Sequence, residues 1–427
     1  MPNKIPGDSM NILYFAPHAM WPANTGARLR DYQLALQLAA CANVTFLEMR
    51  GAEETLETAP AGCGVAKVVS SKKECTYTIS KLLRGLAGPA PVTVLNCRSR
   101  DAFQLLAETL AAGQFDTVQI EGVHLMEYLP EIRQAPGSPA VVVDWHNIES
   151  EAMRRYACGA ASWVKRAAAR RTANLLERAE DILLAALAAH TVTSERERQN
   201  LLARRPGANV QVIPNGVDSD HYSAANLAEA RARSGGDGAR KNLLFVGSMD
   251  YHANIDAAVW FARTAWPEIA RNYPDMQFTI VGRDPSREVC ALASERIRVT
   301  GTVDDVRRYY ATAVAAVAPI RCGGGTRLKI LEAMAAGVPV VSTGLGAEGI
   351  EAENGTHLLL ADGEAEIAAA VGCVASSSEL SSRLAQAGRS LVKRKYDWSE
   401  ISAKLFRIHE RLAEAPRPGL REKALAS

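Results

Sequence analysis

The most informative stretch, Val317 to Gly349, is V-A-P-I-R-C-G-G-G-T-R-L-K-I-L-E-A-M-A-A-G-V-P-V-V-S-T-G-L-G-A-E-G. The apolar run at 314–320 predicts a buried strand, and the three glycines at 323–325 predict a loop without side chains. The spacing of apolar residues predicts a helix over 327–336, and 338–342 predicts another buried strand. Strand, glycine loop, helix and strand in this order indicate a crossover unit of a parallel sheet.

The start of this helix is a predicted anion-binding site. A glycine loop that leads into a helix presents backbone N–H groups at the positive end of the helix dipole. Thr326 can cap the helix, and Arg327 and Lys329 add fixed positive charge. Glu332 lies one turn beyond Lys329, so its carboxylate can accept from a sugar hydroxyl. The implied ligand carries phosphates and hydroxyls together.

The tail L-E-A-M-A-A-G-V-P-V-V-S-T resembles the E-A-M-A-x-G-x-P-V-V signature of the family 4 (group 1) glycosyltransferases. Many members have a second glutamate eight positions before the one in E-A-M-A, where this chain has Gly324. The stretch is similar to the sub-pattern G-x-G-T-R-x-K-x-x-E-A, which implies that Lys329 and backbone amides carry more of the diphosphate binding. The resemblance implies catalytic roles for Arg327 and Lys329 and donor contacts for Gly324, Gly325, Thr326, Leu328 and Glu332.

The resemblance also implies the GT-B fold of the α/β class. In that fold two Rossmann-like domains face each other across a cleft with parallel sheets, and a C-terminal helix crosses back to the first domain. We therefore expect an acceptor-side domain at 1–215, a nucleotide-sugar-binding domain at 216–395, and a crossing helix with a disordered tail at 396–427. The polar, glycine-bearing segment 223–241 predicts a hinge region.

The composition limits the possible classes of protein. A chain of 427 residues with 48% hydrophobic and 22% charged residues suffices for two domains of roughly 150 to 200 residues. A net charge of +2 argues against a nucleic-acid partner, and eight scattered cysteines without a C-x-x-C pair favour a reducing compartment. No apolar run approaches the ~18 to 20 residues of a membrane span, so we expect a cytoplasmic protein, peripheral on the inner face of the plasma membrane.

The first strand and loop contain a second possible phosphate site. A strand at 11–16, a loop at 17–27 and a helix at 28–40 place Gly26 and Arg30 near the start of a helix. A crossover turn that needs a glycine explains the pattern equally well. The segment P-A-N-T-G-A-R-L-R resembles the first loop of the family, which implies that Gly26 and Arg30 contact the donor diphosphate.

A histidine follows a later strand of the first half. A-V-V-V-D at 140–144 predicts a strand that leads into W-H-N-I-E, so His146 lies where open α/β sheets bind ligands. A lone histidine is commonly structural. The resemblance implies that His146 contacts the transferred sugar as a catalytic residue. Glu121 and Glu149 are acceptor-side candidates, and either could instead be a helix-capping carboxylate.

The second half presents further loops at strand ends. The resemblance implies donor contacts for Gly247, Ser248 and Arg283, and a nucleobase site at the backbone of Thr302 and Val303. Many members have a basic pair after the first of these strands, and this chain has Ser248 and Asn254 there. We interpret Arg327 and Lys329 as the relocated cations. The adjacent carboxylates at 304–305 resemble a metal-binding pair, but capping chemistry at a helix start explains them, and no metal is expected.

A basic segment with aromatic residues lies at 151–189, and two interpretations of it stay open. It is either a solvated helix face or a surface that docks on anionic lipid or a lipid-pyrophosphate acceptor. The basic residues around its Trp163 and Tyr156 are Arg154, Arg155, Lys165, Arg166, Arg170 and Arg171.

The sequence therefore predicts a metal-independent, retaining glycosyltransferase. It would move a sugar from a UDP- or GDP-sugar donor, without a cofactor, to a saccharide or lipid-linked acceptor in polysaccharide or glycoconjugate biosynthesis. One alternative is a non-catalytic sugar-nucleotide-binding partner of another transferase, for which Gly324, Ser248 and Asn254 argue. Another is a nucleotide-sugar epimerase on the same scaffold. A nicotinamide oxidoreductase is disfavoured because G-x-G-x-x-G is absent after the first strand.

Overall fold

The structure is a computed structural model that describes residues 10–23, 25–51, 64–73, 78–159, 162–233, 241–322 and 328–415. The chain divides into two units. The first comprises Met1–Ile213 with Ile401–Ser427, and the second comprises Pro214–Glu400. Each unit is built around its own parallel sheet and its own buried apolar clusters.

The first unit contains a sheet of seven parallel strands, counted over its described residues, in the order β3-β2-β1-β4-β5-β6-β7. The central strands are buried on both faces, as their short apolar runs predict. The strands are β1 (Asn11–Ala16), β2 (Asn43–Gly51), β3 (Lys67–Lys73), β4 (Thr117–Glu121), β5 (Ala140–Trp145), β6 (Ala189–Val192) and β7 (Val210–Val212).

Helices of the first unit follow the strands and cover the sheet. Their buried side chains form an apolar cluster with those of β1, β4 and β5. The helices are α1 (Gly26–Ala39), α2 (Ile79–Ala87), α3 (Val92–Asn96), α4 (Arg100–Ala112), α5 (Leu129–Gln134), α6 (Glu149–Gly159), α7 (Trp163–Ala186) and α8 (Glu195–Arg204), with a 3-10 turn at Val123–Tyr128.

The second unit has the same architecture, a parallel sheet flanked by helices. The strands of its described residues form a parallel sheet in the order β10-β9-β8-β11-β12-β13. They are β8 (Lys241–Val246), β9 (Met276–Val281), β10 (Ile297–Val299), β11 (Ala313–Ala318), β12 (Val340–Ser342) and β13 (Leu359–Leu360). In both sheets the order reverses beside the first strand of the unit, which is the arrangement that places ligands at the carboxyl ends of the central strands.

Helices also flank this second sheet, and they pack in two apolar clusters. They are α9 (Ala224–Arg233), α10 (His252–Arg263), α11 (Ala265–Asn272), α12 (Arg287–Cys290), α13 (Arg307–Tyr310), α14 (Leu328–Ala335), α15 (Glu364–Ser376) and α16 (Ser378–Lys395). The last helix of the chain, α17 (Trp398–Glu414), begins in the second unit and lies mostly in the first.

The return of the C-terminal helix to the first unit was predicted and is confirmed. His409 is fully buried on α17, and its Nδ1 lies 2.8 Å from Thr117 Oγ1. Its Nε2 lies 3.0 Å from Gln119 Oε1. The helix is therefore anchored to β4 by a buried polar contact as well as by apolar packing. The predicted disordered tail lies outside the described residues.

Two segments differ from their sequence interpretation. The predicted hinge at 223–241 contains α9, whose Leu227 and Ala230 are buried at helical spacing. The alanine-rich, polar composition concealed this helix, because only a narrow apolar stripe faces the core. The segment 50–100, for which the sequence analysis predicts no element because its pattern is less regular, contributes β3, α2 and α3.

None of the helices within the described residues has the length and apolar character that a membrane crossing requires.

Candidate functional site

The first group of predicted site residues meets at the carboxyl ends of the strands in the second unit. Gly247 and Ser248 follow β8, and Arg283 follows β9 after a single glycine. Lys329 is the second residue of α14. Because β8 and β9 pair in parallel register, the residues that follow them lie at the same edge of the sheet.

Lys329 is held at the centre of this group, which we call the lysine cluster: Gly247, Ser248, Asn254, Arg283 and Lys329. Its ammonium donates to Asn254 Oδ1 at 2.7 Å and lies 4.3 Å from the centre of the Phe245 ring. Asn254 in turn donates to the carbonyl of Ser248 at 2.8 Å. Arg283 Nε donates to Ser248 Oγ at 3.0 Å. The structure therefore brings four predicted residues together, with Asn254 as their link.

Gly247 is favoured by the close approach of two side chains rather than by its backbone angles. A Cβ atom at this position would lie 2.8 Å from Lys329 Nζ and 2.7 Å from Asn254 Nδ2. Real Cβ contacts are never that short, so any side chain here would displace the ammonium group. The glycine leaves the backbone open beside a fixed cation, as a phosphate site needs.

Glu332 lies one turn beyond Lys329 on α14. The hydroxyl of Tyr310 donates to its Oε2 at 3.1 Å. Burial raises the pKa of Glu332, while the hydrogen bond from Tyr310 and the charge of Lys329 oppose the rise. The carboxylate is thus positioned beside the lysine cluster, where hydrogen bonds from Tyr310 and Tyr222 hold it.

Other predicted donor residues are placed as follows. Gly324, Gly325, Thr326 and Arg327 lie outside the described residues. Thr302 is exposed, whereas Val303 and Leu328 pack half-buried against an apolar cluster of the second unit. Asp305 accepts from Arg307 Nε at 3.0 Å and from its Nη2 at 2.8 Å, so this carboxylate pairs with an arginine two residues along the chain.

The first unit has a separate cavity at the carboxyl ends of its own strands, with a volume of about 310 Å³. Its lining includes His18, which follows β1, and Glu121, the last residue of β4. It also includes His146, which follows β5, and Glu149, the first residue of α6. The predicted acceptor-side residues are therefore brought together in one cavity.

His146 faces three carboxylates. Its Nε2 lies 2.7 Å from Glu121 Oε2, 3.0 Å from Asp31 Oδ1 and 3.6 Å from Asp144 Oδ2. Burial alone would lower the pKa of His146, but the charges of Asp31 and Glu121 outweigh it and raise that pKa well above 6.5. Burial and the charges of Asp31 and Asp144 raise the pKa of Glu121 to about 7, although His146 opposes the rise. The charges around His146 therefore favour its protonated form.

Arg30 and Gly26 occupy different environments on α1. Arg30 is 2% exposed, and it donates to both oxygens of Asp144 at 2.7 and 2.9 Å and to the carbonyl of Ile213 at 2.8 Å. The donor contact predicted for Arg30 is untested, and this geometry instead supports a role in holding Asp144. Gly26 is exposed at the first turn of α1, which Thr25 caps through the backbone N–H of Arg28.

Sequence reasoning missed two residues of this site, His18 and Asp31. His18 lies two residues beyond the end of β1, in the position that made His146 a candidate after β5. Asp31 is fully buried on α1 beside both histidines. The position of His18 after a strand was a usable signal, whereas Asp31 resembled any acidic residue in a helix.

A cation site is also chemically feasible here. Asp31, Glu121 and His146 place one ligand atom each within 4.8 Å of one another, which makes them a candidate set among the described residues. Two carboxylates and an imidazole are ligands that suit zinc or another divalent ion. A protonated His146 would also neutralise the charge of Asp31 and Glu121 in this arrangement without a metal ion.

Glu149 provides a pH-dependent feature of the cavity. Burial and the charge of Glu180 raise the pKa of Glu149 to about 7, and His146 opposes the rise. The folded protein therefore holds the Glu149 proton more tightly than the unfolded chain does. The stability that this proton contributes is fully present below the pKa of Glu149 in the unfolded chain. That stabilisation is lost as the pH rises to the folded pKa.

We expect Glu149→Gln to raise the free energy of unfolding of the first unit at pH 8, by at most about 3 kcal/mol. At pH 5 the gain should be much smaller, because glutamine mimics the protonated acid. Urea denaturation followed by hydrogen exchange in peptides of α6 measures both values. Glu108→Gln, on the exposed face of α4, is the control. An equal effect of Glu149→Gln at both pH values would contradict the prediction.

The basic residues of 151–189 lie on α6 and α7. Arg154 pairs with Glu177 at 2.6 Å, Arg155 pairs with Glu151 at 2.7 Å, and Arg171 donates to the carbonyl of Gly88 at 3.1 Å. The other three, Lys165, Arg166 and Arg170, are exposed. Trp163 and Val164 beside them are exposed, as are Ile79 and Leu83 on the neighbouring α2.

Comparison with known proteins finds a family match within the second unit. Residues 240–377 match the family model of group 1 glycosyl transferases. The phosphatidyl-myo-inositol mannosyltransferase of Mycobacterium leprae is 32% identical over 214 residues, which cover 48% of this chain and 55% of that protein. The chain thus spans about half the length of the curated relatives it matches. These matches support the predicted relation to the family 4 glycosyltransferases.

Solved structures extend the likeness to the whole fold. Sucrose-phosphate synthase from Thermosynechococcus elongatus superposes with a TM-score of 0.70 at 18% identity, covering 94% of this chain and 99% of that one. Anabaena HepE, solved with UDP and glucose, has a TM-score of 0.66 at 14% identity, covering 94% and 99%. At such identities the likeness concerns the fold. It confirms the predicted GT-B class with two Rossmann-like domains.

Proposed function

We propose that this chain is a retaining glycosyltransferase that moves a hexosyl group from a UDP- or GDP-sugar to a saccharide or lipid-linked hydroxyl. The observation that carries the proposal is the lysine cluster. It lies at the carboxyl ends of β8 and β9, inside the region that matches the group 1 transferases. We further propose a role in polysaccharide or glycoconjugate biosynthesis.

The lysine cluster suits the departure of a nucleoside diphosphate. When the glycosidic bond to the donor breaks, negative charge develops on the β-phosphate oxygen, and fixed cations that face it lower the barrier. Lys329 and Arg283 are held in place by Asn254 and Ser248, so little reorganisation is needed. We propose that these side chains supply the positive charge that a metal ion supplies in other transferases, and that neither a metal nor another cofactor is required.

The anomeric configuration of the sugar is retained if the acceptor hydroxyl attacks from the face that the leaving group vacates. The proton of that hydroxyl then passes to the departing phosphate. Such a reaction needs no covalent intermediate on the protein. We propose that His146, as an imidazolium, donates to a hydroxyl of the transferred sugar. Glu332 accepts from another hydroxyl and so fixes the orientation of the ring.

We propose a lipid-linked acceptor and a peripheral position on an anionic cytoplasmic membrane surface. The matched mycobacterial relative is named for a phosphatidylinositol acceptor. In this chain the exposed apolar side chains of α2 and α7 lie beside exposed lysine and arginine side chains. Apolar side chains flanked by cations are what an anionic bilayer surface binds.

We expect the double substitution Lys165→Ser and Arg170→Ser to weaken binding to phosphatidylglycerol-containing vesicles. Each cation near an anionic surface contributes about 1 kcal/mol, so the loss should be roughly 30-fold in the partition coefficient. Vesicle co-sedimentation at two salt concentrations measures it. The matched control, Lys404→Ser with Arg407→Ser, removes the same charge from the exposed face of α17. Equal losses in both variants, or no sedimentation of the wild type, would refute this membrane surface.

A second candidate function is a non-catalytic sugar-nucleotide-binding partner of another transferase. The observation in its favour is that Ser248 and Asn254 occupy the positions where many relatives have two cations. In this chain Asn254 binds the lysine instead. This protein would bind the nucleotide sugar tightly without turning it over.

One assay separates these functions. The purified protein is incubated with a panel of UDP- and GDP-sugars, with and without lipid extract and with EDTA, while nucleoside diphosphate release and sugar identity are followed. Diphosphate release that EDTA does not reduce supports the transferase. Tight binding without release supports the binding partner, and conversion of the sugar without release would indicate an epimerase.

A further inference from the structure

The cavity of the first unit contains a second histidine, His18, that shares a buried carboxylate with His146. We infer that Asp31 is a positioning residue that holds His18 and His146 as a pair of hydroxyl-binding groups for the sugar that enters this cavity. This inference rests on the proposed transferase function and adds His18 and Asp31 to its site.

The geometry of Asp31 fits a shared partner. The side chain is fully buried, and its two oxygens face different histidines. Oδ2 lies 2.6 Å from His18 Nε2, and Oδ1 lies 3.0 Å from His146 Nε2. The hydroxyl of Tyr14 donates to Oδ1 at 3.2 Å, which fixes the carboxylate from the sheet side. Both imidazoles line the cavity, with ring centres 6.5 Å apart.

The carboxylate determines which nitrogen of each ring carries a proton. Nε2 of each histidine lies at ion-pair distance from Asp31, so we infer that Nε2 is the nitrogen that carries the proton in each ring. Nδ1 is then the nitrogen that remains for a ligand. It accepts from a sugar hydroxyl when the ring is neutral and donates to one when the ring is charged. A fixed ring orientation at both histidines thus favours a hydroxyl-bearing ligand.

The surroundings of Asp31 also favour its ionised carboxylate form. Burial would raise its pKa, but the charges of His146 and His18 outweigh burial and hold the pKa well below its usual range. The other charged groups that face the pair are Glu121, Asp144 and Glu149, all near His146. Arg30 pairs with Asp144. His146 therefore keeps Glu121 if Asp31 is neutralised. His18 faces Asp31, so the loss should act mainly through His18.

His146 has a second carboxylate partner and His18 depends on Asp31, and this difference can be tested with a double mutant of the full-length protein. Asp31→Asn and His18→Asn should each lower kcat/KM for sugar transfer by about 10- to 100-fold. The double variant should lower kcat/KM by no more than about threefold beyond the worse single variant, because both substitutions remove the same contact between Asp31 and His18. The control is Glu197→Gln, which alters a buried capping carboxylate on α8 and should not lower kcat/KM to a comparable extent.

Two readouts distinguish failure of this inference from failure of the proposed function. Affinity for UDP or GDP, which reports on the second unit, should be unchanged in Asp31→Asn. Imidazole nitrogen NMR of the resting protein should show His18 protonated at Nε2 in the wild type and a mixture of tautomers in Asp31→Asn. Multiplicative losses in the double variant, or an unchanged His18 tautomer in Asp31→Asn, would overturn the inference. A wild type without turnover would refute the transferase, and the NMR result would still decide the role of Asp31.

Discussion

Replacement of Lys329 by alanine is expected to lower the rate of sugar transfer by about 100- to 1,000-fold, the usual cost of removing one group that stabilises transition-state charge. Its ammonium is fixed by Asn254 and by the Phe245 ring, beside the open backbone of Gly247. The effect should fall on kcat more than on KM, because charge on the leaving phosphate is greatest in the transition state. Steady-state measurement of nucleoside diphosphate release with the preferred donor gives both constants.

The matched control for this variant is Lys393→Ala, which removes an exposed lysine from α16 in the same unit. We expect it to leave kcat and KM within about twofold of wild type, since surface charges away from the site act weakly. A Lys329→Ala enzyme that kept its kcat would show that the lysine cluster does not stabilise the leaving group.

Replacement of Arg30 by methionine is expected to lower the free energy of unfolding of the first unit by about 3 to 5 kcal/mol, the usual cost of breaking a buried ion pair. Asp144 is fully buried and would lose both hydrogen bonds from the guanidinium, keeping the hydroxyl of Thr191 as a donor. Urea denaturation followed by hydrogen exchange in peptides of β1 and β5 measures the loss.

The companion variant, Arg30→Met with Asp144→Leu, removes both charges together. It should be more stable than Arg30→Met alone, because no uncompensated charge is left in the interior. If Arg30→Met were as stable as wild type but bound UDP or GDP weakly, the sequence interpretation of Arg30 as a donor contact would be restored.

The sequence predicted the fold and much of the candidate site through the family resemblance together with one physical rule. Parallel strands place their carboxyl ends at the same edge of a sheet, so residues that follow different strands meet in space. Gly247, Ser248 and Arg283 could therefore be assigned to one place, together with Lys329. His146, Glu121 and Glu149 were assigned to the other unit by the same rule, and the structure brings them into one cavity.

The features that the sequence did not predict depend on contacts between distant residues, which no local sequence pattern encodes. Asp31 and Arg30 are adjacent on α1, yet one faces two histidines and the other pairs with Asp144 more than 100 residues away. A sequence does not show which charged residues of a helix are buried, because such residues are normally exposed. The helix α9 was missed because its narrow buried stripe lies within a polar, alanine-rich segment.

The central claim is that the lysine cluster binds the diphosphate of the donor. Calorimetric titration of UDP and GDP into the wild type, Lys329→Ala and Glu332→Ala tests it most directly. The account predicts that Lys329→Ala weakens binding of the preferred nucleotide more than Glu332→Ala, because it assigns the phosphates to the lysine and the sugar to the carboxylate. The reverse order, or equal affinity in all three proteins, would contradict it.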